Sequence, residues 1–122
     1  MEAPFRAVVA HIAGLLITGN QTWAIQDNDR HRPVYIDGSV GASGIRVYSH
    51  ELHTYVSGMG NGAQYLLFEH HSAVKVSLEV NIAEQRFAGC DQSGPCHFFG
   101  DVSGGAVRLF DFQDLQWHSY TL

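Results

Sequence analysis

A run of alternating apolar residues that breaks at an acid and resumes beyond it constrains this chain more than any other feature. The pattern is plainest near the C-terminus, where Val107-Arg108-Leu109-Phe110-Asp111 leads through a polar turn into Gln116-Trp117-His118-Ser119-Tyr120. Successive side chains of a strand point to opposite faces, so such alternation marks a strand with one face buried. Ile45-Arg46-Val47-Tyr48-Ser49-His50 and Tyr65-Leu66-Leu67-Phe68-Glu69-His70 carry the same signal. At an offset of 42 residues Gly58 matches Gly100, Gly62 matches Gly104, and Leu67-Phe68-Glu69 matches Leu109-Phe110-Asp111. A propeller needs at least about four blades of ~40–45 residues, more than this chain holds, so the matches describe hairpins repeated in one meander.

Further strand signals place elements near residues 22–26, 33–37, 44–49, 52–57, 63–69, 74–80, 85–89, 97–102, 106–111 and 116–122. Turn formers separate them: Asp37-Gly38, Gly58 to Gly62, Asp91 to Pro95 and Ser103-Gly104-Gly105. Ahead of the strands, Phe5, Val8, Val9, Ile12, Leu15 and Leu16 sit at helical spacing, with Pro4 at the start and Gly19-Asn20 at the end. A helix is the first reading of this segment, and a strand turning at Gly19-Asn20 is the alternative. The expected fold is a single domain over residues 1–122, mainly β. An antiparallel meander closes into a small barrel or sandwich, with one N-terminal helix packed on it.

Composition narrows the partners. The formal charge is −5, and the seven Lys and Arg residues are scattered, so no basic stripe is available to neutralise phosphates. Nucleic acid is not an expected partner. Arg30-His31-Arg32 is offset by Asp27 and Asp29 and reads as a solvated loop. The apolar segment Phe5 to Ile17 fails as a signal peptide because His11 interrupts it and no small-residue cleavage site follows. It is also shorter than the roughly 20 residues a spanning helix needs. No membrane partner is expected, and the expected location is cytoplasmic.

Eight histidines stand out, yet none lies in an HExxH motif or at the i, i+4 spacing of a metal-binding helix, so neither metal nor cofactor is expected. His50 and His70 occupy equivalent turn positions in the repeat. With His71, Glu69 and Asp111 they form the candidate ligand-binding or acid–base cluster at one rim of the sheet, beside a wall of Tyr48, Phe68 and Phe110. No complete catalytic set is present. Cys90 and Cys96 flank a turn, and free thiols, a disulfide, or metal ligation together with His97 are the readings open to them. The Gly58-Met59-Gly60-Asn61-Gly62 run lacks the Lys-Ser/Thr of a phosphate-binding loop and reads as a hairpin loop. In the last strand Trp117 and Tyr120 fall on opposite faces, the mark of a two-sided core strand or of a strand covered by a partner.

The run Phe99-Gly100-x-Val102-x-Gly104-Gly105-x-Val107-x-Leu109-Phe110-Asp111 resembles small uncharacterised bacterial proteins, some of them carried on mobile gene cassettes of integrons. The resemblance covers the last third of the chain, implies a bacterial accessory protein and assigns no chemistry to any residue. The functional expectation is a non-enzymatic binding or interaction module, homodimeric through its C-terminal strand, with an unidentified small molecule or protein as partner. The alternative is a small enzyme or ligand-binding protein with a rim cavity built on the histidine–carboxylate cluster.

Overall fold

Pro4 in the first turn and Gly19 just past the last bracket the N-terminal segment as a helix, α1 (Ala3–Thr18). Proline's fixed φ suits a first turn, and Gly19 adopts φ 74°, a left-handed conformation natural to glycine, donating its N–H to the Leu15 carbonyl at 2.8 Å. In this computed structural model, which describes residues 1–92 and 96–122 with Cys96 described by its backbone alone, every residue from Phe5 to Ile17 is buried. A helix buried all round has no solvent side. The reason is the sheet, which encircles it.

Ten strands are found among the described residues: β1 (Ala24–Asp27), β2 (Arg32–Gly41), β3 (Gly44–Ser49), β4 (Thr54–Gly60), β5 (Gln64–Glu69), β6 (Lys75–Asn81), β7 (Arg86–Asp91), β8 (Cys96–Ser103), β9 (Ala106–Asp111) and β10 (Gln116–Thr121). Each pairs antiparallel with its sequence neighbours, and β10 returns to β1 to close a barrel. The expected meander, the ten strand positions and the N-terminal helix are therefore all present. The helix packs on the inner wall, against β1, β2, β6, β8 and β9. Inward residues such as Ile25, Ile36, Val56, Leu67, Val76, Leu109 and Tyr120 complete the core with Val8, Val9 and Ile12 of α1.

The period of the fold is half the 42-residue offset. The odd strands end at Asp27, Ser49, Glu69, Asp91 and Asp111, about 21 residues apart, each at the rim where α1 begins. Side-chain oxygens there cap the following turn, as Asp and Ser do wherever backbone N–H groups lack a ladder partner. Asp27 accepts from the Asp29 and Arg30 N–H groups, Ser49 from Leu52, Glu69 from His71 and Ser72, and Asp111 from Gln113. The turns then reverse through a residue at positive φ: His31, His53, Ala73 and Leu115, between 55° and 59°. The expected loop over Gly58 to Gly62 is shorter than the sequence reading implied. Gly58, Met59 and Gly60 belong to β4, and Asn61 caps the remaining turn at Ala63 and Gln64.

Candidate functional site

The turn acids are the first sequence candidates to be placed, and they face inward. Asp111 is fully buried and holds the Met1 amine at 3.0 Å and the Arg6 guanidinium at 3.4 Å. Gln113 also accepts from the Met1 amine, and Arg6 reaches the Met1 carbonyl at 3.0 Å and the Tyr120 hydroxyl at 3.3 Å. This network ties the start of α1 to the β9–β10 turn. Burial works against the Glu69 carboxylate, but hydrogen bonds from Ser72, His71 and Thr54 outweigh it and hold its pKa below the ordinary value. Both acids are occupied in holding turns and α1.

His50 and His70 stand on the outer wall instead, one residue beyond Ser49 and Glu69 and so on the opposite face. His50 Nε2 lies 2.5 Å from Asp37 Oδ2, and its ring meets Tyr48 edge-on at 5.1 Å. His70 Nε2 pairs with the Ser57 hydroxyl at 2.7 Å and its ring meets Phe68 edge-on at 5.0 Å. Tyr48 in turn meets Tyr55 at 5.0 Å, and Arg46 lies over the Tyr55 ring at 4.6 Å. His71 is in the β5–β6 turn, beside a hollow of about 410 Å³ that Met1, Glu2 and Phe5 also line. The expected cluster is thus divided by the barrel wall. His50, His70, Tyr48 and Phe68 share the outer face of β3–β5, whereas Glu69 and Asp111 are inside.

Phe110 belongs to a second outer face, on β8–β10. Phe99, Phe110, Phe112 and Trp117 touch one another at centroid distances of 5.0 to 5.7 Å. Cross-strand register sets them together, with Phe99 opposite Phe110 and Phe110 opposite Trp117. Phe99, Phe112 and Trp117 remain 39%, 48% and 46% exposed. Arg108 lies over Trp117 at 4.6 Å and makes a two-pronged bond to Asp101, at 3.1 and 2.6 Å. The sequence reading left both faces of the last strand open. Tyr120 and His118 point into the barrel, and Trp117 points to solvent.

The sequence reading did not include Asp37 and Ser57, the side-chain partners of His50 and His70, or Arg46 and Tyr55 beside them. The signal that finds them is parity combined with register, since Asp37, Tyr48 and Tyr55 are cross-strand neighbours on one row. Arg30 also departs from the expected solvated loop. It bonds Asp27 at 2.6 Å and grips Glu51 with both terminal nitrogens, at 2.8 and 2.9 Å, fastening the first two hairpins together. The Glu51 hydrogen bonds, ahead of the other contributions, raise the Arg30 pKa above its ordinary value. Among the described residues no group of three or more potential metal ligands converges. Backbone register sets Cys90 opposite His97 and Cys96 opposite Asp91. The disulfide reading for Cys90 and Cys96 lies outside the described residues, because it depends on the Cys96 side chain.

The class that these features define is a closed ten-stranded up-and-down barrel with an internal helix and two aromatic outer faces. Compared with known protein families, curated proteins and solved structures, the chain matches none. Among the described residues no helix is long and apolar enough to cross a membrane.

Proposed function

We propose that this protein is a non-enzymatic interaction module that self-associates through the outer face of β8–β10. One observation carries the reading: four aromatic rings in mutual contact stand on a wall facing solvent. Rings of this kind supply large apolar area at small entropic cost and dominate the centres of interfaces. A filled barrel leaves the outside as the binding surface, since α1 and the inward side chains occupy the interior.

Ring closure also changes how a C-terminal strand would take part. Little edge is left for pairing with a second copy, because β10 is paired with β9 along its length and with β1 at Tyr120 and Thr121. Face-to-face contact remains, and a second copy suits it. A two-fold arrangement brings the same patch to both sides, and Arg108 and Asp101 at its margin let each copy meet the other's charge of opposite sign. The acid–base alternative is the weaker reading because its carboxylates and histidines lie on opposite sides of the wall.

Light scattering on a sizing column at micromolar concentration tests the proposal. A dimeric mass that falls to monomer in Trp117→Ser, with unchanged far-UV circular dichroism, is the expected result. A monomeric mass for the unaltered chain across that range would sink it.

A further inference from the structure

We infer that the outer wall of β3–β6 binds a small free organic anion with an apolar body, held between Arg46 and Lys75. The chain has seven Lys and Arg against twelve Asp and Glu. Arg6, Arg30, Arg32, Arg86 and Arg108 all lie within 4 Å of a carboxylate. Among the described residues Arg46 and Lys75 are the cations without such a partner. In a chain this acidic, two cations left unpaired in one place require a reason.

They occupy the same row. Arg46 is opposite Ser57, Ser57 opposite Phe68, and Phe68 opposite Lys75, so all four side chains stand on the outer face of four consecutive strands. Three strand spacings separate the cations, about 14 Å at the backbone. Between them lies a hollow of about 430 Å³ whose apolar surface comes from Met59, Leu66 and Phe68. Ser57 stands mid-row with its hydroxyl bonded to His70, and Arg46 is steadied by the Tyr55 ring. A cation at either end of an apolar strip suits an acyl or aryl chain that lies along the strip with its carboxylate, sulfonate or phosphate monoester on one of them. A bare inorganic anion would leave the apolar middle unused. An extended anionic surface is disfavoured, because the whole molecule at −5 repels it, whereas a single small ion feels the field of the two nearby cations within the ~8 Å screening length.

The test is calorimetric titration with octanoate, alongside octan-1-ol and inorganic phosphate, followed by amide shift mapping on the unaltered protein. Octanoate is expected to bind more tightly than either control. The largest shifts should fall at Ser57, Leu66 and Phe68, and affinity should drop about tenfold in the one of Arg46→Gln and Lys75→Gln that removes the cation holding the carboxylate, the cost of one charge-assisted contact. Both substitutions are on exposed positions, and the unaltered protein's shift map does not depend on either variant folding. Unchanged octanoate affinity in both variants, octan-1-ol binding equally well, or shifts centred on Phe99 and Trp117 would each overturn the assignment. So would capture by anionic phospholipid vesicles without binding of free octanoate. None of these results depends on the oligomeric state.

Discussion

Phe98 on β8 stands directly across from Gly89 on β7, and its ring fills the space that a side chain at Gly89 would need. A Cβ placed there would lie 2.5 Å from the Phe98 ring and 2.1 Å from the Ser77 carbonyl oxygen. Two register positions along, on the same face, the roles exchange, with Phe87 over Gly100 at 2.4 Å from such a Cβ. Leu67 over Gly58 and Tyr65 over Gly60 follow the same rule on β4–β5. Pairing these large inward side chains with cross-strand glycines makes room for α1 inside the ring. Gly89→Ala should therefore destabilise by roughly 3 kcal/mol, near the upper end for overpacking. Urea unfolding would check it, and Gly105→Ala, where the nearest atom is 3.8 Å away, serves as the contrast.

Asp111 yields a second prediction. Replacing it with alanine takes the buried carboxylate from the Met1 amine and leaves the Arg6 guanidinium with Asp114 alone, at 3.7 Å. Breaking one side of a buried ion pair costs about 3 to 5 kcal/mol. His50→Ala removes an exposed contact to Asp37 and should cost less than about 1 kcal/mol. Thermal unfolding of the two variants should separate them clearly, and equal midpoints would contradict the roles assigned to inner and outer rim residues.

His11 in mid-helix makes folding sensitive to acid. It is buried, and its Nδ1 has no hydrogen-bond partner. Burial lowers its pKa from 6.5 to about 4. The unfolded chain thus takes up a proton before the folded one does. Stability is full above pH 6.5, declines as pH falls toward 4, and the loss is complete below that, at about 3 kcal/mol in all. His11→Leu should flatten the pH dependence of the urea midpoint between pH 6.5 and 4.5. A variant as acid-sensitive as the parent over that range would rule His11 out as the cause.

The closing seam is the weakest joint of the barrel. β1 and β10 share only the register pairs Gln26–Thr121 and Asp27–Tyr120, and side chains supply much of the remaining contact. Asn28 bonds the Ser119 and Thr121 hydroxyls at 3.2 and 3.1 Å. The buried His118 ring sits between Asp29 and Asp114, at 2.6 and 2.8 Å. Amides of β1 should exchange with solvent faster than those of β3 and β4, and Asn28→Ala should accelerate them by about tenfold, as expected for a local opening lowered by roughly one hydrogen bond. Uniform protection around the ring would count against a weak seam.

Much of the architecture could be read from the residues because alternation survives in nearly every strand. Val107, Leu109 and Asp111 face in while Arg108 and Phe110 face out, as parity requires. The ~21-residue period is blurred in the sequence for a physical reason. Between Leu67-Phe68-Glu69 and Leu109-Phe110-Asp111 the equivalent hairpin carries Gly89-Cys90-Asp91, because Phe98 needs the space at Gly89. The repeat, visible at Ile45–His50 and Tyr65–His70, is therefore interrupted at this hairpin. Helical spacing suggested a one-sided stripe on α1, since residues that complete its circumference, such as Ala7, Ala10 and Ala13, are small and carry little signal. Which wall a histidine faces was within reach of parity. Which carboxylate or hydroxyl it meets was not, because that depends on register between strands.

An enclosed helix also dictates an order of assembly. α1 leads the chain, yet the ring around it is complete only when β10 reaches β1. A chain emerging from the ribosome therefore presents thirteen successive core positions, Phe5 to Ile17, long before their enclosure exists. Contacts between opposite ends of a sequence form slowly, and apolar surface left waiting is prone to aggregate. Expression yield should thus respond to whatever shields this segment during synthesis, a demand that the finished barrel no longer reveals.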